Sequence, residues 1–300
     1  MKDKLLLVKN IREFGFNTLK LKKTNSYSTY LDIGRQAVVW NVVATKQSSL
    51  DLKEWCYLFI GCFSYRGFYS REEAVEYAEH LVVQENLQTA VLPVLAYSTL
   101  GWSDFFGGDP VLNTFLWDDK TELVRLLFHE LAHHQIFIKN DTIFNESFAS
   151  FVEDVGSSLW IKKYGDEYDL QVYKQKKRKR LEVSKILSIA RQRLKELYAR
   201  NLEKDEIQLE ESEIFQKLRT KLEQLTETKE LSEDYQKWIS QINTAWLAAF
   251  SLYEGYKPFF HELFIRNNSD WVKFYKEVKK LEKIKKSDRD FIIESFLESE

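Results

Sequence analysis

Apolar positions change their rhythm part-way along this chain of 300 residues. Up to about residue 117, short runs rich in β-branched and aromatic side chains alternate with polar turns. This spacing predicts strands at 37–43, 55–63 and 89–97 and one amphipathic helix at Arg71–Glu85. From about residue 119 the period becomes helical, with predicted helices at 121–138, 166–200, 205–228 and 231–254 and shorter ones to the end. Glycine and proline favour the front of the chain, although Gly156, Gly165 and Gly255 fall later. The pattern predicts an α+β fold: a small N-terminal mixed β-sheet with helices, followed by a long helical C-terminal region. No repeat and no Pro/Gly/Ser-rich linker divides it, so the expectation is one continuous domain with a core at 1–165 and a helical extension at 166–300 packed on it.

Composition supports a substantial core, since 44% of residues are hydrophobic and 15% aromatic. A net charge of -2 provides no global field for nucleic acid or an anionic membrane. The run KQKKRKR at 174–180 is the one strong charge block. Acidic segments flank it and no aromatic platform interleaves with it, so it reads as a solvated helix face and no nucleic-acid partner is expected. No stretch reaches the roughly 20 apolar residues of a membrane span, and the first ten residues hold too short an apolar run for a secretory leader. The two cysteines, Cys56 and Cys62, read as small buried apolar side chains. In a single extended strand their Cα atoms would lie about 20 Å apart, beyond disulfide reach, and a bridge would require a turn at Gly61.

The chemistry concentrates in TELVRLLFHELAHHQIFI, residues 121–138. Asp119 and Glu122 resemble a capping pair, and the segment lacks Gly and Pro, so one continuous and largely buried helix is expected. On a helix His129 and His133 project from one face and can reach a single cation, with Glu130 beside them. That arrangement, H-E-x-x-H, fits two neutral imidazoles holding zinc and a carboxylate acting as general base toward water. His134 points about 100° away from His133, which suits a supporting or surface role better than ligation.

A catalytic zinc needs a third protein ligand. In NDTIFNESFASFVEDVG, Asn145 is read as a helix cap and Glu146 as the third ligand, its alternative being a charge that only complements the helix N-terminus. Glu153, on the same face, is the rival ligand or an orienter of one. Tyr253 is the weaker choice as a donor to the developing oxyanion, with His261 as its alternative, and Tyr97 is a candidate substrate contact at the end of a strand whose edge would pair with an extended peptide. His80 reads as ordinary.

HELAHH together with FNESFASFVE resembles the bacterial predicted-aminopeptidase family of zinc metallopeptidases, related in site layout to the gluzincins. The resemblance also touches VVWNVVA (38–44), WCYLFIGCFSYRGFYS (55–70), AYSTLGW (96–102), DPVLNTFL (109–116) and NTAWLAAFSLY (243–253). It implies a zincin-like catalytic core, one Zn2+ held by His129, His133 and Glu146, a peptide substrate and aminopeptidase action. It also implies an envelope or periplasmic setting if a leader once preceded residue 1. SDFFGG at 103–108 looks longer than in the family and is expected to form a flap near the site. The competing expectation is a zinc-binding protein without turnover, whose charged helices form a docking surface.

Overall fold

The structure is a computed structural model that describes residues 1–58, 61–96, 107–116, 119–225 and 232–298. Its order is α1 (Lys2–Asn17), β1 (Tyr30–Leu31), β2 (Val39–Lys46), β3 (Trp55–Tyr57), β4 (Gly61–Phe63), β5 (Arg66–Phe68), α2 (Arg71–Glu85), β6 (Leu87–Val94) and β7 (Val111–Leu112). Helices α3 (Lys120–His133), α4 (Thr142–Tyr164), α5 (Glu167–Tyr198), α6 (Lys204–Gln224), α7 (Glu233–Gln241), α8 (Thr244–Glu254), α9 (Lys257–Arg266), α10 (Trp271–Glu282) and α11 (Lys286–Glu298) follow. The fold is α+β, with small sheets in the front half and long helices behind them. Among the described residues no helix is long and apolar enough to cross a membrane.

The chain divides into two compact units. One comprises 39–93 and 173–251. Its three-stranded sheet runs β5-β2-β6, and α2 covers it through Ala74, Ala78 and Leu81. A second cluster joins α5, α6, α7 and α8 through Leu187, Leu194, Leu218, Leu222, Ile239 and Leu247. Ser70 starts α2 by accepting from Glu73 N, and Asn86 ends it in the left-handed region at φ 52°. The basic run lies on α5 with most of its side chains at least partly exposed, as its polar pattern predicts.

The expected strand at 55–63 is corrected to a hairpin. β3 and β4 pair antiparallel with Trp55 opposite Phe63 and Cys56 opposite Cys62, and the two cysteines form a disulfide. Cys56 is exposed rather than buried. Gly61, at φ 112°, opens β4 opposite Tyr57 in a backbone conformation that side chains resist.

The other unit comprises 1–38, 94–172 and 252–300. Its centre is the pairing of α3 with α4, flanked by α1. Gly156 on α4 permits the close approach, since a Cβ there would come within 2.6 Å of Leu19 Cδ1 and 3.1 Å of the Phe128 ring on α3. The other side of α4 buries Phe144, Phe148 and Phe151 against Phe260 and Phe264 of α9 and Phe274 of α10, with centroid separations from 4.9 to 6.4 Å. β1 and β7 form a short parallel pair in the same unit.

Helix α3 is shorter than its apolar pattern suggests. It starts where expected, Asp119 accepting from Thr121 N and Glu122 N, but stops at His133 instead of Ile138. At the far end of the expected helix the Ile138 N–H is taken by Asn145 Oδ1 at 2.8 Å, seven residues on, so it is not free to continue the helical ladder. Asn145 is accordingly not a cap. The helix carrying it begins earlier, at Asp141, whose side chain accepts from Phe144 N.

Candidate metal site

The site lies within the second unit, on facing turns of α3 and α4. Four-residue spacing brings His129 edge-on to His133, with ring centroids 5.0 Å apart, and both are buried. Glu146, at the second turn of α4, reaches both rings: its Oε2 lies 3.2 Å from His129 Nε2 and its Oε1 lies 3.8 Å from His133 Nε2. One donor atom from each of the three residues falls within 4.8 Å of the others, so the group could hold a metal ion. Two imidazoles and a carboxylate are a donor set suited to a divalent first-row ion.

Glu153, two turns further along α4, meets the opposite edge of His129: its Oε2 lies 3.1 Å from His129 Nδ1. Arg125, one turn before His129 on α3, grips the other Glu153 oxygen, and Glu122 lies 2.7 Å from Arg125. A chain Glu122–Arg125–Glu153–His129 therefore runs into the site. It leaves His129 Nε2, on the Glu146 side, as the nitrogen available to a cation.

Burial sets the electrostatics. Burial disfavours a charged His129, but hydrogen bonds to Glu146 and Glu153 and the charges of both outweigh it and raise its pKa to about 10 in the metal-free protein. His133 gains less from Glu146, and burial takes it down to about 4. Burial pushes Glu130 up to about 7, assisted by the negative charges of Glu146, Asp109 and Glu153 and opposed by His129. Glu153 is also buried, yet Arg125 and His129 hold it well below the usual carboxylate range.

Of the remaining sequence candidates, Tyr253 is brought to the site, its ring 6.0 Å from that of His129. His261 instead packs edge-on against Phe151 of α4, with centroids 5.2 Å apart. Tyr97 and the 103–106 part of the expected flap lie outside the described residues. His134 is buried, with Nε2 3.8 Å from Asp109 Oδ2, and His80 is exposed on α2 beside Tyr77. Sequence reasoning missed the support from Arg125 and Asp109. Arg125 left a signal, a lone cation in the apolar run of α3, whereas Asp109 left none.

Fold and site together define an α+β protein with a buried His-His-Glu group between two helices. Compared with known families, the chain matches the model described as "Putative aminopeptidase" over residues 1–293, and it belongs to that family. No curated protein and no solved structure matches it.

Proposed function

We propose that this protein is a zinc-dependent peptidase, acting as an aminopeptidase. The observation that carries the reading is the convergence of His129, His133 and Glu146, with Glu130 placed between the two histidines on the same helix. Zinc suits the donor set: with bonds of about 2.0–2.1 Å, tetrahedral ligands lie roughly 3.3 Å apart. The carboxylate oxygens of Glu146 lie 3.2 and 3.8 Å from the two imidazole nitrogens. When bound, such an ion supplies Lewis acidity toward water and the scissile carbonyl.

The chain's own groups do the rest. Glu153 accepts from His129 Nδ1–H and so presents the Nε2 lone pair toward the cation, while Arg125 keeps Glu153 ionised and in place. Glu130 takes a proton from the attacking water and passes it to the leaving amine. Tyr253, beside His129, donates to the oxygen on which negative charge builds. The family description supports the aminopeptidase preference, which requires the substrate's free amine to be held near the site.

The test compares wild type with Glu130→Gln at matched zinc content on a peptide library, reading released amines and the products. The expected outcome is a loss of turnover by at least about 10²-fold in the variant with metal retained, and products trimmed one residue at a time from the N-terminus. Equal rates would leave a zinc-binding protein without turnover. Internal cleavage products would replace the aminopeptidase assignment with an endopeptidase.

A further inference from the structure

Arg289 is 2% exposed, although it lies on α11, far along the chain from α3 and α4. All three nitrogens of its guanidinium donate hydrogen bonds. Nε and Nη2 donate to Asp141 Oδ2 at 2.9 and 2.5 Å, and Nη1 donates to the Leu281 and Ile284 carbonyls at the end of α10 at 3.1 and 2.7 Å. The same group lies 5.4 Å from the Phe144 ring centroid, in the first turn of α4. Asp141 in turn divides its carboxylate. Oδ1 accepts from Phe144 N and starts the helix, and Oδ2 receives Arg289.

A buried ion pair is a poor way to gain stability, because desolvating both charges cancels much of their attraction. Its directional fork does fix where a helix begins and how it is turned. Asp141 is five residues before Glu146. The neighbours of Glu146 are also tied down: Asn145 holds the Ile138 backbone from both sides at 2.8 Å. Ser147 Oγ donates to Leu252 O at 2.9 Å and accepts from Tyr256 N at 3.1 Å. A rotation of α4 by about 10° would move a carboxylate ~6 Å from the axis by ~1 Å, twice the ~0.5 Å tolerance of a preorganised site.

We propose that Arg289 is a positioning residue for the metal site, acting through Asp141 to fix the rotation of α4 that aims Glu146 at His129 and His133. The proposal rests on the reading of Glu146 as a metal ligand. It gives the C-terminal helix α11 a part in assembling the site and not only in covering the core.

Cobalt(II) titration of the intact protein tests it, since visible absorption reports coordination geometry without any assay of turnover. The variants are Arg289→Lys, which keeps the charge and loses the fork, and Asp141→Asn with Arg289→Met, which keeps a cap and removes both charges. Phe296→Leu is the control: it loosens α11 where Phe296 packs 5.3 Å from Phe259, and leaves Asp141 untouched. Wild type and control should bind cobalt alike. Both Arg289 variants, folded by near-ultraviolet circular dichroism, should bind roughly tenfold more weakly with an altered visible band. Unchanged affinity and band in a folded Arg289 variant, or an equal loss in Phe296→Leu, would overturn the proposal. Failure of the wild type itself to bind cobalt would instead remove the metal reading on which it stands.

Discussion

His129 meets two carboxylates with one ring, Glu146 at Nε2 and Glu153 at Nδ1. In the metal-free protein that pairing favours a proton on the ring, with its pKa raised from 6.5 to about 10. The folded state therefore holds a proton that the unfolded chain has released. This contribution to stability is fully present below pH 6.5 and disappears as pH rises through about 10. Between pH 4.5 and 6.5 Glu130, with its raised pKa, and His133, with its lowered one, act in opposite directions, so the alkaline limb belongs to His129. Chelator-treated protein should lose thermal stability from pH 6.5 to 9.5 more steeply than chelator-treated His129→Asn, measured by calorimetry; parallel curves would contradict the pairing. The two histidines and Glu130 were legible in the sequence because helical spacing alone puts them together. Glu146 was read as the third ligand and Glu153 as its rival or an orienter, but both occupy one face of α4, and only coordinates show Glu146 at the Nε2 edge of His129 and Glu153 at the Nδ1 edge.

Among the elements, the sequence pattern located α2 to its terminal residues, because Ser70 and Asn86 supply local start and stop chemistry. It overran α3 by five residues. Nothing in HQIFI opposes a helix; the Ile138 backbone is instead held by Asn145, seven residues further on. The β3–β4 hairpin was missed for a related reason, since a continuous apolar run conceals a reversal that only Gly61 and the cysteine pairing mark. A similar backbone dependence makes Gly108 testable. It sits at φ 81°, and a Cβ there would run into the Ser26 backbone nitrogen. Its neighbour Asp109 receives Tyr27 N on its carbonyl at 2.5 Å and donates its own N–H to Ser26 Oγ at 2.9 Å. Gly108→Ala should cost more than ~1 kcal/mol in urea unfolding, through strain at positive φ added to the lost contact, and an unchanged midpoint would contradict this.

For the molecule as a whole, the notable fact is that the site-bearing unit is assembled from three separated stretches, 1–38, 94–172 and 252–300. The late helices were legible as amphipathic, but amphipathicity says that a face is buried and not against what. Here the partner is α4, which carries Glu146 of the candidate site: its Phe144, Phe148 and Phe151 are covered by α9 and α10. A fragment ending at residue 165 would hold His129, His133 and Glu146 and leave three of its largest buried side chains open to water. Exposing even one such aromatic costs about 1.5–3 kcal/mol, comparable with a good part of a domain's net stability. The fragment should show no cooperative thermal transition, checked by circular dichroism, whereas a sharp transition would mean that the front of the chain folds alone.

The same arrangement sets an order of events during synthesis. A nascent chain that has emerged from the ribosome through Glu153 already carries both histidines and both carboxylates, but neither the aromatic cover of α4 nor Arg289 has yet been translated. On the role proposed for Arg289, the candidate site is complete only once α11 has been made, and until then its histidines and carboxylates stand without that support.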